Sequence, residues 1–227
     1  KKDERAPTGY EVDGDALKIL HKAEPFPITQ DQSTELLLDL RHLWIRSRKQ
    51  TAIFKVKAEI MHAARQWFSD NNFTEVTPPI ITQTGVEGGS TLFEFKYFDS
   101  TAYLSQSAQL YLEALIFGLE RVYAITPSFR AEKSRTTRHL AEYWHLEPEA
   151  AFVGHEQNME IQEQLVSHVC QAAAKMKTEL HMLGREPDDL LLVKPPFERL
   201  DYNDAIKKLN KLGSPVKWGE DLGTEEE

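Results

Sequence analysis

The sequence predicts an α+β fold, an antiparallel sheet flanked by long helices. Apolar residues recur at helical spacing over 48–71 and again from about 155 to 183. Between them, several short segments carry strand character and end at glycine or proline. Strands gathered between two long helices predict a sheet with its helices on one side.

Residues 1–35 are polar and rich in turn formers, with Pro7, Gly9, Gly14, Pro25 and Pro27. Tyr10 to Leu20 could supply one or two short strands, but the segment is too small to fold alone. It is expected to be the tail of an upstream domain plus a linker, with the main domain over 36–227. The stretch Arg41 to Lys49 is basic with Trp44 inside, and either touches RNA or begins a helix.

Over 48–71, Ile53, Val56, Ile60, Ala63, Ala64, Trp67 and Phe68 mark one helix face, and Asp70-Asn71-Asn72 ends it. A strand over Phe73 to Val76 stops at Pro78-Pro79. β-rich sequence then runs to Leu104, interrupted by Gly85 and Gly88-Gly89. Ser107 can cap a helix from Ala108 to Phe117, and Arg121 to Thr126 reads as a strand. Phe129 to Glu132 and Glu142 to Glu149 read as two strands joined by a basic loop, Lys133 to His139. One long helix is expected from His155 to Leu183, with Gly184 as its left-handed cap. Its apolar stripe includes Met159, Leu165, Val166, Val169, Ala173, Met176 and Leu180. A shorter helix, about Asn203 to Leu212, ends at Gly213.

Hydrophobic content of 41% and charged content of 28% over 227 residues are those of a soluble globular protein. No apolar run approaches the ~20 residues of a membrane helix, and no secretory signal is visible at Lys1. The first residue is not methionine, so a fragment or processed product is expected. The single cysteine, Cys170, excludes an internal disulfide and fits a cytoplasmic location. Its helical position predicts a buried structural thiol. A net charge of −9 argues against a non-specific nucleic-acid binder but leaves room for a local basic patch. The histidines at 21, 42, 62, 155, 168 and 181 show no metal-ligand spacing, so no metal site is expected.

The chemistry concentrates in the two strands around the basic loop. Strand side chains alternate with period two. Arg130 and Glu132 therefore share a face, as do Tyr143, His145, Glu147 and Glu149. Trp144, Leu146 and Ala150 take the other face and should meet a core. A polar floor with a cationic lid suits a ligand bearing phosphates, an aromatic base and an amino group. A merely solvated sheet face would read the same way. Separately, Thr84 to Ser90 is a glycine-rich turn around Glu87. An acid there would repel phosphate but could accept from an ammonium as the loop closes.

The order Phe-Arg-x-Glu, then Arg138-His139, then Glu-Tyr and Glu-Pro-Glu resembles motif 2 of class II aminoacyl-tRNA synthetases, in the aspartate, asparagine and lysine subgroup. The Glu-Pro-Glu ending is similar to that of the asparaginyl members. The helix over 48–71 with Pro78-Pro79 resembles motif 1, which implies a homodimer with Pro79 at its interface. Residues 5–11 resemble the last strands of an OB-fold anticodon-binding domain, and Arg41 to Arg46 resembles the start of the catalytic domain.

The resemblance implies that ATP with Mg2+ activates asparagine to an adenylate, which is then transferred to tRNA(Asn). It implies catalytic roles for Arg130 and Glu132, and ATP contacts from Arg130, Glu132, Arg138, His139, Leu140 and Tyr143. Lys133, Ser134 and Arg135 would lie near the tRNA acceptor end. The amino acid would meet Glu87, Gln109, Leu112, Arg130 and Glu147. Ser105 to Leu112 is similar to a Gln-Ser-Pro-Gln segment of the subgroup, with Ala108 replacing proline. Leu112 stands where aspartyl enzymes carry a lysine. An aspartate side chain would lack its counter-charge there, whereas Glu147 can accept from a carboxamide NH2.

No glycine-rich strand ending in Glu-Arg, the family's motif 3, is present, and Phe197-Glu198-Arg199 is not that motif. The magnesium ligands are expected beyond residue 227, and these residues alone are expected to be inactive. The rival readings are an aspartyl-tRNA synthetase, a tRNA-independent asparagine-forming relative, and a non-catalytic dimerisation or RNA-binding module.

Overall fold

The computed structural model describes residues 1–6, 8–29, 32–83, 92–132, 139–223 and 226. The chain divides into two compact units, Lys1–Thr51 and Ala52–Glu227.

In the first unit a turn is closed by an isolated bridge between Lys2 and Tyr10, with Gly9 in the left-handed region at φ +75°. Asp3 accepts from the Arg5 backbone N–H and guanidinium. The strands expected over Tyr10 to Leu20 are not formed: Val12 is 96% exposed, and Leu17, Ile19 and Leu20 also face outward. Strand character is realised only where a partner edge is available, and the described residues of this unit offer that segment none. Two short helices follow, α1 (Thr34–Asp39) and α2 (Arg41–Trp44). Ser33 caps α1 by accepting from the Leu36 N–H.

The second unit contains most of α3 (Arg48–Asp70), whose bounds match the expected helix. Asn72, at φ 63°, takes the left-handed turn after it, and the Phe73 N–H returns to the Phe68 carbonyl. Only the C-terminal half of the apolar stripe enters the core: Ala63, Ala64, Trp67 and Phe68 are buried, while Ile53, Phe54 and Ile60 remain exposed.

Among the described residues two three-stranded sheets follow. One has the order β1 (Thr74–Glu75), β5 (Arg121–Phe129), β6 (Glu142–Ala150); the other has β2 (Ile81–Thr82), β4 (Ser100–Leu104), β3 (Glu94–Tyr97). The first sheet is mixed, not purely antiparallel, because β1 runs parallel to β5. β5 is also one strand where the sequence suggested a break after Thr126. Pro127 fits because the donor it lacks would point away from β6. The Phe129 N–H points that way, to the Ser105 carbonyl, whereas the Arg130 N–H reaches Ala141 across the β6 side. Pro148, opposite Tyr123, likewise turns its missing donor to the outer edge of β6.

The register pairs Ile125 with Leu146 and Ala124 with Glu147, so alternate residues serve opposite faces. On one face Trp67, Phe68, Phe73, Tyr123 and Ile125 form a core, joined by Leu146, Ala150, Ile161 and Leu165. The expected core-face residue Trp144 is 54% exposed; it lies opposite Pro127, outside that cluster. On the other face α4 (Gln109–Leu119) packs Leu112 against Val122 and Ala124. Helices therefore cover both faces of this sheet, not one.

The helix expected over His155 to Leu183 is two helices, α5 (His155–Ala173) and α6 (Lys177–Met182). The break at 174–176 has no glycine or proline. The turn lets Ala172, Ala173, Ala174 and Leu180 all be buried. Gly184, at φ +68°, closes α6 with its N–H on His181 while the Arg185 N–H reaches Leu180. After α7 (Pro187–Leu191), the segment to Arg199 is tied to α5. Ser167 donates to the Val193 carbonyl, and buried Glu163 accepts from the Phe197 N–H and the Arg199 guanidinium at 2.8 and 3.0 Å. The arginine that failed the motif 3 pattern thus has a structural partner. The last helix, α8 (Tyr202–Lys211), begins one residue before the expected Asn203, where Asp201 caps it by accepting from the Asn203 N–H, and Gly213, at φ +95°, follows its C-cap Leu212 as the sequence suggested. Cys170 is a free, half-buried thiol on α5, and burial pushes its pKa up. Among the described residues no helix is long and apolar enough to cross a membrane.

Candidate active site on the polar sheet face

The face opposite the Phe68 core presents Thr126 and Ser128 from β5 against His145 and Tyr143 from β6, with Arg130 just beyond the end of β5. The Arg130 N–H on the Ala141 carbonyl at 3.0 Å extends the ladder one residue past the strand. That bond holds the arginine in strand register while leaving its side chain exposed. Its guanidinium lies 5.4 Å from the centre of the Tyr143 ring, a cation–π contact that restrains both groups. The Tyr143 and His145 rings follow at 5.3 Å. Glu132 is exposed and stands 3.8 Å from His139 Nε2. Leu140 is exposed beside them. Arg130, Glu132, His139 and Tyr143 therefore gather at one end of the floor.

Glu147 sits deeper and is held by a neighbouring segment. Ser107 Oγ donates to its Oε1 in a short hydrogen bond, and the Ala108 backbone N–H donates to Oε2 at 2.9 Å. His145 Nδ1 lies 3.4 Å from Oε1 and 3.2 Å from Oγ of fully buried Ser128. The desolvation of His145 pushes its pKa below the usual histidine value; Glu147 opposes that shift and Arg130 reinforces it. Glu149, one step along the same face, is pushed the other way. Burial raises its pKa, and the negative charges of Glu113 and Glu147 add to the rise. Both shifts favour the neutral form, as expected where charge is removed from water.

Gln109 and Leu112 come from α4. The Gln109 amide donates to Glu113 Oε1 at 2.9 Å, one turn along the helix. Leu112 is fully buried against Val122 and Ala124, the residues paired with Glu149 and Glu147. It thus puts an apolar side chain, with no cation, beside the acids. Pro79 is exposed and lies apart from this cluster in the segment between β1 and β2. Glu87, Lys133, Ser134, Arg135 and Arg138 lie outside the described residues. Sequence reading overlooked the clamp formed by Ser107 and Ala108, and also Ser128. The clamp bridges residues 39 and 40 positions apart, which no local pattern encodes. Among the described residues no group of three or more His, Cys, Asp or Glu side chains converges as metal ligands.

The arrangement can orient an anionic group with Arg130, contact an aromatic base beside Tyr143, and accept from a donor-bearing group at Glu147. The chain matches the tRNA synthetases of class II (D, K and N) over residues 33–227. It is 52% identical over 228 residues to the asparagine–tRNA ligase of Thermococcus gammatolerans, covering 100% of this chain and 53% of that protein. The crystal structure of asparaginyl-tRNA synthetase from Pyrococcus horikoshii complexed with asparaginyl-adenylate superimposes with a TM-score of 0.90 at 51% identity, covering 100% of this chain and 53% of that one. The aspartyl-tRNA synthetase of Entamoeba histolytica is more distant, with a TM-score of 0.66, 25% identity, and coverage of 88% and 38%. The chain spans about half the length of the curated relatives it matches.

Proposed function

This chain belongs to the class II tRNA synthetases of the aspartate, lysine and asparagine group, and from that premise we propose that it activates L-asparagine with ATP and transfers it to the 3′ end of tRNA(Asn). In the first step a carboxylate oxygen of asparagine attacks the α-phosphorus of ATP, and pyrophosphate leaves. In the second, a hydroxyl of the terminal ribose attacks the adenylate carbonyl, and AMP leaves. Neither step needs a protein nucleophile. Both need charge stabilisation and alignment of the reacting groups.

Arg130 is the group for the α-phosphate and the substrate carboxylate, because its guanidinium is permanently charged and already oriented by Tyr143. Glu132, His139, Leu140 and Tyr143 complete the ATP side, with Arg138 from the basic loop. Glu147 and Leu112 select the amino-acid side chain, with Gln109 and Glu87 on its ammonium. Lys133, Ser134 and Arg135 meet the tRNA acceptor end. Magnesium bound to the ATP phosphates would offset part of their negative charge.

We further infer that residues 36–227 belong to the catalytic domain of a cytoplasmic homodimer, and that residues 1–35 are the tail of an OB-fold anticodon-binding domain and a linker. Exposed Ile53, Phe54 and Ile60 on α3, together with exposed Pro79, offer apolar surface for the dimer contact.

The observation that carries the reading is the clamped Glu147 beside buried, uncharged Leu112. That combination accepts from a carboxamide and repels a carboxylate. The test is amino-acid-dependent ATP–pyrophosphate exchange on the full-length protein without tRNA, comparing asparagine with aspartate. Exchange with asparagine alone is expected. Equal exchange with aspartate overturns the specificity, and no exchange with either overturns the adenylate chemistry.

A further inference from the structure

Resting on the asparagine reading above, we propose that the backbone N–H of Ala108 determines specificity by positioning Glu147 for the substrate carboxamide. Ala108 is buried, 3% exposed, and occupies the N-cap of α4. The carbonyl of an N-cap residue enters the helical ladder, but its N–H does not. Here the Tyr111 and Leu112 N–H groups use the Ala108 carbonyl, and the Ala108 N–H is directed at Glu147 Oε2. Proline, the residue of the resembling Gln-Ser-Pro-Gln segment, could not make that bond because it has no N–H.

Two donors on two different oxygens leave the Glu147 carboxylate one orientation. A carboxylate accepts at about four lone-pair sites. Ser107 and Ala108 each use one, on Oε1 and Oε2, and His145 Nδ1 stands 3.4 Å from Oε1. The remaining capacity, most of it on Oε2, is what a carboxamide NH2 requires. Ser107 alone would hold one oxygen and let the other swing. The Ala108 N–H is therefore the group that aims the acceptor. The chemistry sits in the backbone at this position, and the alanine methyl contributes only packing against Leu112, Val122 and Ala124.

Three variants of the full-length protein test this by pyrophosphate exchange with asparagine. Ala108→Pro removes the N–H; the observed φ of −82° lies at the edge of proline's range of about −65 ± 15°, and no helical hydrogen bond is lost. An ester in place of the Ser107–Ala108 amide removes the same proton without the ring, and decides the matter if the proline variant does not fold. Ala108→Gly keeps the N–H and loses the methyl. The expected result is a rise of roughly tenfold in KM for asparagine in the proline and ester proteins, the scale of one hydrogen bond to a charged group. KM for ATP should stay unchanged, and the glycine variant should behave as the parent. Unaltered asparagine KM in the proline and ester proteins overturns the proposal. So does a loss in the glycine variant equal to that of the proline variant. A parent protein that exchanges with aspartate but not asparagine refutes the underlying substrate reading instead.

Discussion

The two faces of the β5–β6 pair are built from the same two strands yet held by different forces. On one face Phe68 stacks on Tyr123 with ring centres 4.2 Å apart, and Trp67 meets Phe68 edge-on at 5.3 Å. That face is closed by volume supplied from α3, β5, β6 and α5. Packing of this kind is non-directional, and many combinations of similar volume satisfy it. On the other face, beside the packing of Leu112 on Val122 and Ala124, Glu147, His145, Ser128 and Arg130 are placed by directional contacts: Ser107 Oγ and the Ala108 N–H on Glu147, His145 Nδ1 against Ser128 Oγ, and Arg130 over the Tyr143 ring. A hydrogen bond tolerates little displacement. The first face therefore governs whether the sheet exists, and the second governs what it can orient.

The largest effect should come from breaking the packed face. Phe68→Ala removes a fully buried ring, and a loss of about 3–5 kcal/mol is expected, read as a lower urea midpoint. Next, Arg130→Ala on the open face should leave that midpoint nearly unchanged, because the side chain is exposed. It should lower the exchange rate by roughly 10²–10³, the cost of deleting one preorganised charge-stabilising donor. A large stability loss with intact chemistry in the folded fraction would sink the division of labour between the faces.

A smaller effect is expected at Tyr123. Its hydroxyl donates to Glu75 at 2.8 Å, and burial, assisted by that bond and the Glu75 charge, pushes its pKa up to about 12. Tyr123→Phe keeps the ring stack and removes this tie between β5 and β1, costing about 1 kcal/mol in equilibrium unfolding.

The smallest effect has the opposite sign. The pKa of Glu149 is raised above its ordinary 4.5 by burial and by Glu113 and Glu147. Its ionisation therefore opposes folding as pH rises through the folded value, and the penalty is absent below 4.5. Glu149→Gln should raise Tm slightly at neutral pH and leave it unchanged near pH 4.5. A lower Tm at neutral pH would show that the ionised acid is held favourably.

Much of this was legible along the chain. The alternation in β6 set Tyr143, His145, Glu147 and Glu149 apart from Leu146 and Ala150, and the pleat realises that division. The α3 bounds and the left-handed glycines at 184 and 213 stand where sequence signals put them. Side-chain period and φ > 0 turns are properties of a few adjacent residues, so a local pattern suffices to find them.

Tertiary structure decided what depends on distant partners. Pro127 stays within β5 because its missing donor faces away from β6, which only the register reveals. The break between α5 and α6 carries no helix-breaking residue and answers to the burial of Ala174 and Leu180. The strands expected before Leu20 found no edge to pair with among the described residues of their unit. The identity of an acid at position 147 was plain in the sequence, but its aim was not. The Ala108 N–H that aims it is a backbone group 39 residues away, and every residue except proline carries one.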